Sequence, residues 1–194
     1  MKDDTNVFVE INEKSIPGLF EILPKVFKDD RGLLVKTFHD VSFKNQKLFD
    51  DFKEEYYSIS KRNVLRGLHF QTPPYDHEKL VYCPLGKIID VIVDLRNGSP
   101  TYGKFEMFTL DDESRKIIYI PKGCAHGFLV QSETAIIVSK TTTVYMPEND
   151  SGIRWNSVDI PWPVANPIIS EKDSKLAKFE NFKSPFYLVN KNDY

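Results

Sequence analysis

Short apolar runs separated by turn signals predict an all-β sandwich or barrel for this 194-residue chain. Three observations carry that expectation. Phe (14) and Tyr (9) are plentiful, which suits half-buried strands better than a helix bundle. Twelve Pro and nine Gly punctuate the apolar runs. The runs recur at intervals of roughly 8–12 residues, with no βαβ rhythm, repeat or low-complexity tract. The length suits a single domain over 1–194, with an N-terminal arm over about 1–15 and a C-terminal tail over about 180–194.

In chain order, Ile16–Leu23 is the first strand candidate, and Phe27–Gly32 reads as a turn. Leu33–His39 follows as a second strand. Residues 43–53 set Phe43, Leu48, Phe49 and Phe52 among polar neighbours, which predicts a short amphipathic helix. Tyr56–Ser60 and Val64–Gln71 read as extended, and Gln71–Glu78 as a loop around Thr72-Pro73-Pro74. Lys79–Cys83 and Lys87–Leu95 are strands; in the second, Ile89, Val91, Val93 and Leu95 share one face and Asp90 and Asp94 the other. Asn97-Gly98-Ser99-Pro100 is a strong turn signal. Lys104–Leu110, Lys116–Ile120 and Ala125–Val130 follow, and β-branched Thr134–Tyr145 reads as one long strand. Beyond residue 147 the chain is irregular, with a short helix at Ser170–Phe179.

The net charge of −2 gives no general attraction for nucleic acid or an acidic membrane. Cys83 and Cys124 make no disulfide framework, so a reducing compartment is expected. The N-terminal residues hold no apolar core of a signal peptide, and no run reaches the roughly 18 apolar residues of a membrane span. A soluble cytoplasmic protein is the resulting expectation. His39, His69, His77 and His126 show no metal-binding spacing, and no metal is predicted. Dinucleotide, phosphate-loop and nucleophile-elbow motifs are absent, so no cofactor is predicted either.

The chemistry is placed at Val64-Leu65-Arg66-Gly67-Leu68-His69-Phe70-Gln71. Extended, it sends Gly67, His69 and Gln71 to one face and anchors Leu68 and Phe70 on the other. A lone strand histidine is more often structural than catalytic. Its company includes Arg66, Lys79, Arg31 and Lys172, cations suited to a phosphorylated ligand. Lys79 reads equally as a strand-edge lysine, and Asp173 by itself as a helix-start residue.

The Arg-Gly-Leu-His-Phe-Gln stretch is followed in order by Lys79-Leu80-Val81, Asp90–Arg96 and Ser99–Gly103. Ile120–Phe128, Gly152–Trp155 and Ser170–Asp173 come next. Together these segments resemble the dTDP-4-dehydrorhamnose 3,5-epimerase family over roughly residues 18–178. The resemblance implies a cupin-type jelly-roll β-sandwich with short peripheral helices. It also implies a homodimer and a nucleotide-sugar substrate, handled without metal or cofactor. The family removes a hydrogen beside a C4 ketone and returns a proton to the opposite face. By position His69 matches the base, Asp173 its carboxylate partner and Lys79 the cation near the sugar. His126 matches a second site histidine, Arg66 and Arg31 the diphosphate arginines, and Lys172 a further substrate contact. Tyr145 matches a residue that stacks on the nucleobase.

Two departures stand out. The family's general-acid tyrosine lies six residues before the tyrosine of a Tyr-x-Pro motif; with Tyr145-Met146-Pro147 here, that position is Ser139. A serine hydroxyl is a poor acid, so a single inversion is expected, with C3 as the first choice. The family's Gln-Asp-Asn near thymine becomes Glu54-Glu55-Tyr56. A carboxylate at 54 can accept two N–H bonds from guanine, so a GDP-linked 4-keto-6-deoxy heptose of capsule synthesis is the expected substrate. The alternatives are a dTDP-4-dehydrorhamnose 3,5-epimerase proper, a 3,4-ketoisomerase, a degenerate sugar-nucleotide-binding module and a metal-dependent cupin oxygenase.

Overall fold

A computed structural model describes residues 8–188. Residues 1–7 of the expected N-terminal arm and 189–194 of the expected tail lie outside the described residues. The elements are β1 (Phe8–Glu13), β2 (Phe20–Pro24), β3 (Val26–Asp29), β4 (Gly32–Val35), α1 (Asp40–Asn45) and β5 (Glu54–Lys61). Then come β6 (Leu65–Gln71), β7 (Lys79–Leu85), β8 (Lys87–Asp94), β9 (Phe105–Asp111), β10 (Ile117–Ile120) and β11 (Cys124–Val130). The last are β12 (Thr134–Thr141), β13 (Asp150–Gly152) and α2 (Glu171–Ser174).

The strands form a six-stranded sheet in the order β1-β2-β10-β7-β12-β5 and a five-stranded sheet in the order β13-β6-β11-β8-β9. Every pairing within them is antiparallel. The β3–β4 hairpin forms a separate two-stranded sheet. Alternation drives the layering. Val81, Ile88, Ile92, Ile118, Phe128, Val130 and Ile137 supply a core from both large sheets. The opposite faces are not left to water. Val91, Val93, Leu68 and Phe70 are covered by Ile153, Ile160 and Phe186. Phe43 and Leu48 cover Leu80, Ile117 and Tyr119.

Several predicted boundaries move, each for a local reason. Phe8–Glu13 of the expected N-terminal arm pair with β2 as a sheet edge. The predicted helix over 43–53 is α1, which starts earlier and is shorter. His39 caps it by accepting from the Ser42 N–H at 3.4 Å. Lys47 then takes φ +55° and ends the helical path, though Phe43 and Leu48 still bury themselves as the pattern requires. The predicted long strand 134–145 stops at Thr141. The Thr141 hydroxyl donates to the Thr143 carbonyl at 2.9 Å and the Thr142 hydroxyl to Glu78 Oε2 at 2.7 Å. These side-chain bonds offer the backbone an alternative to the ladder. Tyr145 therefore does not lie on the strand that carries Ser139. The predicted helix over 170–179 is a single turn, α2, followed by a 3-10 turn at Phe179–Asn181. The described part of the expected tail packs down, with Phe186 against Phe70 at a ring separation of 5.3 Å.

Asp90 and Asp94 share the inner face of β8, and both are fully buried. Asp94 is satisfied. Arg96 donates to it through its backbone N–H, Nε (2.8 Å) and Nη2 (2.9 Å), and Ser99 and Thr101 add hydroxyls at 2.6 and 2.7 Å. Burial opposes its charge, but these five donors outweigh that cost and hold Asp94 below the usual carboxylate range. The pair thereby ties the Asn97–Pro100 turn to the end of β8. Asp94→Ala leaves Arg96 buried and unpaired, and urea unfolding at neutral pH is expected to show a loss of about 3–5 kcal/mol. Asp94's own contribution is complete above its ordinary value of 3.8 and is lost as pH falls through the lower folded value. The difference between wild type and the variant should therefore narrow below about pH 4.

Candidate active site

The site begins with a distortion in β6. Pairing with β11 runs His69 against His126 and Arg66 against Phe128, three residues on one strand against two on the other. The extra residue is a bulge at Gly67, whose φ is +119°. A Cβ there would lie 2.5 Å from the Cα of Gly127, so the two strands meet backbone to backbone. Simple alternation would send Arg66 and His69 to opposite faces. The bulge turns both toward one cavity of about 610 Å3 between the two sheets. Leu68 and Phe70 anchor the strand on the other side, as the sequence predicts.

His69 is held on two sides. Its Nε2 donates to Asp173 Oδ1 at 2.6 Å, and Gly152, its partner on β13, packs beside the ring. Asp173 is placed by α2. The Ser170 hydroxyl accepts from the Asp173 N–H at 3.0 Å, a cap that fixes this short turn. The second Asp173 oxygen accepts from the Gly67 N–H at 3.4 Å. Burial would raise the Asp173 carboxyl, but the bonds from His69, Gly67 and Ser170 prevail and keep it below the usual range. An ionised Asp173 fixes Nε2 as the protonated nitrogen and leaves Nδ1 for a ligand.

Lys79, the first residue of β7, faces the same cavity from the six-stranded sheet. It is buried and has no ion pair among the described residues. His126 lies deeper, with Nε2 2.7 Å from Asp90 Oδ1. Burial lowers the affinity of His126 for a second proton, Asp90 opposes this, and Lys79 and His69 add to the lowering. The other Asp90 oxygen has no hydrogen-bond partner among the described residues. Arg66 reaches the cavity mouth with Nε donating to the Ser60 hydroxyl at 3.0 Å.

A second lobe of about 320 Å3 shares Tyr56, His69, Lys79 and Lys172 with the first. Glu54, Tyr145 and Lys172 line it. Tyr145 donates its hydroxyl to Asp150 at 3.0 Å, and Lys172 forms an ion pair with the same carboxylate. That carboxylate raises the Tyr145 hydroxyl above its ordinary value. Glu54 accepts the Tyr145 backbone N–H at 2.5 Å. Ser139 lines the first lobe from β12 and is buried.

Nine of the ten predicted site residues thus meet around one cavity or its rim. Arg31 does not. It sits on the tip of the β3–β4 hairpin, paired with Asp29, because that hairpin leaves the main sheets and makes its own ladder. Tyr56, Gln71, His77 and Asp150 also line the cavity; the sequence noted Tyr56 only in the triplet near the base and Gln71 only as sharing the face of His69, and it gave His77 and Asp150 no place in the site. Gln71 binds the Tyr75 and Val144 carbonyls and the Met146 N–H, clamping the segment that carries Tyr145. Burial, with Lys79, Lys122 and His126 nearby, pushes His77 down to about 3, so it stays neutral against the Thr143 hydroxyl. The signal for Tyr56 was alternation along β5, which places Glu54, Tyr56 and Ser58 on one face.

A family model described as dTDP-4-dehydrorhamnose 3,5-epimerase matches residues 13–181. A dTDP-4-dehydrorhamnose 3,5-epimerase of Methanothermobacter thermautotrophicus is 43% identical over 179 residues, covering 90% of this chain and 95% of that protein. The enzyme of the same description from Shigella flexneri is 40% identical over 180 residues, covering 88% and 96%. Among solved structures, a dTDP-6-deoxy-D-glucose-3,5-epimerase from Legionella pneumophila in complex with dTDP-4-keto-L-rhamnose superposes with a TM-score of 0.88. It is 33% identical and the match covers 93% of this chain and 99% of that one. The two-sheet sandwich is the expected cupin-type jelly roll.

The bulge is the feature most exposed to a small change. Gly67→Ala forces a methyl group against Gly127 at a φ that side chains avoid, a strain of about 1–3 kcal/mol. Denaturant unfolding is expected to show that loss, and nucleotide binding is expected to weaken as Arg66 and His69 shift apart.

Proposed function

The chain belongs to the dTDP-4-dehydrorhamnose 3,5-epimerase family, and we propose that it inverts carbons flanking the C4 ketone of a dTDP-linked 4-keto-6-deoxy hexose. The observation that carries this reading is the His69–Asp173 pair at 2.6 Å, set across a cavity from the buried Lys79. His69 Nδ1 takes the hydrogen next to the carbonyl, and the electron pair moves to the C4 oxygen. Asp173 keeps the imidazole in the tautomer that can do this and stabilises the imidazolium that results. The Lys79 ammonium meets the negative charge growing on the oxygen, in a site where little water competes. No cofactor enters the scheme.

Arg66 is assigned to the diphosphate, since its Nη atoms are left over from the Ser60 bond. Lys172 supplies a second cation at the junction of the lobes, and His126 supports the sugar-facing wall from behind. Tyr145 offers an aromatic face to the base. The guanine reading of Glu54 loses ground, because its carboxylate already accepts the Tyr145 N–H. The dTDP of the relatives' names replaces the GDP-linked heptose of capsule synthesis as first choice. A second reading, inversion at C3 alone, is favoured by Ser139.

A homodimer is part of the proposal. Phe27, Leu33 and Leu34 on the β3–β4 hairpin are about half exposed, and Tyr57 and Ile59 on the edge strand β5 are more so. Pairing two copies would cover such surfaces, and a hairpin reaching across would return Arg31 to a phosphate. No helix among the described residues is long and apolar enough to cross a membrane. The cytoplasmic location expected from the sequence stays within this reading.

Proton NMR in D2O with a dTDP-4-keto-6-deoxy hexose tests the chemistry. Deuterium at C3 and C5 with inverted product is expected; label at C3 alone would select the second reading, and no exchange would remove both. His69→Asn is expected to slow exchange by about 10²–10⁴-fold. Calorimetry with dTDP and GDP, together with sedimentation of the free enzyme, checks the rest. The expected outcome is a dimer that prefers dTDP, and preference for GDP would restore the guanine reading.

A further inference from the structure

Inversion needs a proton removed from one face of the sugar and another delivered to the opposite face. His69 acts from β6, in the five-stranded sheet. The donor must therefore stand on the facing wall. From that wall, Tyr56 and Ser58 of β5, Lys79 of β7, and Ile137 and Ser139 of β12 line the cavity. Serine hydroxyls are not among the side chains that serve as general acids. Lys79 would surrender the charge that holds the enolate if it gave up its proton. Tyr56 remains.

We infer that Tyr56 is the proton donor that completes the inversion, a role that rests on the epimerase reading above. Four observations support this. Tyr56 is the ladder partner of Ser139, so their side chains emerge side by side on one face of the sheet. Ser139 is small and leaves that part of the wall to the neighbouring ring. The alternation of β5 agrees: Tyr56 and Ser58 line the cavity, while Tyr57 is 68% exposed on the other side. The Tyr56 hydroxyl also has no hydrogen bond among the described residues, unlike that of Tyr145, which is committed to Asp150. Finally, Tyr56 is 45% exposed, so its phenolate can be reprotonated from water.

The step balances without any further reactant. The carbon's C–H bond breaks, its proton goes to His69 Nδ1, and its electrons form the enolate. The enolate carbon then takes the Tyr56 hydroxyl proton on its other face, a new C–H bond forms and the ketone returns. The imidazolium releases a proton to water and the phenolate takes one up.

The test follows deuterium and configuration together, in D2O, with a dTDP-4-keto-6-deoxy hexose as probe. The wild type, Tyr56→Phe and the double variant Tyr56→Phe/Ser139→Tyr are compared. Tyr56→Phe is expected to lower formation of inverted product by about 10²-fold or more. His69-dependent exchange with retained configuration is expected to persist, which also reports an intact fold. The double variant moves the phenol one strand across and is expected to recover inversion. Wild-type inversion by Tyr56→Phe would overturn the assignment. So would parallel loss of exchange and inversion, the mark of a structural role. A wild type that exchanges no hydrogen at all would overturn the epimerase reading and this donor with it.

Discussion

The close approach of β6 and β11 at Gly67 and Gly127 is the constraint on which the site depends. Added Cβ atoms would meet backbone at 2.5 Å on one side and 2.7 Å on the other. With no side chain between them, the strands can hold a bulge without opening the sheet. The bulge gathers Arg66 and His69 on one face and leaves the Gly67 N–H pointing at Asp173. A guanidinium and an imidazole with only Gly67 and Leu68 between them thereby face one cavity, on a strand locked by Leu68 and Phe70. Precision in the site comes from packing on its far side.

Charge is handled in two ways inside the sandwich. Asp94 is saturated with donors and serves the fold, closing a turn on Arg96. Asp90, two turns of the pleat away on the same face, has only His126 among the described residues and keeps one oxygen unpartnered there. The contrast separates a structural carboxylate from one that sits behind a working cavity. His126 links the two regimes, because its backbone pairs with His69 while its ring points back to Asp90.

Much of this was legible in the sequence. Alternation and turn residues gave the sandwich, and the ordered motifs gave His69, Lys79 and Asp173 as members of one site. What escaped was set by contacts between distant segments. Arg66 faces the cavity only because of a bulge that a period-two pattern does not announce. Tyr145 leaves the β12 path because threonine side chains at 141 and 142 outbid the ladder that their β-branching favours. Tyr56 stood in the sequence only as a departure from the family's triplet near thymine, and its pairing is what places it beside Ser139. Arg31 lies on a hairpin outside the main sheets, so its sequence position said nothing of its distance from the others.

The wall formed by β5 has a further meaning. Among the described residues it is an edge strand with a single neighbour, and its cavity-facing side chains reach open space rather than the core. Replacing them leaves no void among the buried aliphatics and breaks no central ladder. By contrast, the β6 and α2 residues are bound to one another, and a change in one misplaces the rest. The molecule therefore divides into a half whose cavity-facing side chains are bound to one another and a margin on β5 whose side chains are not tied into the core. Variation in the cavity lining can therefore accumulate on that margin at little cost in stability.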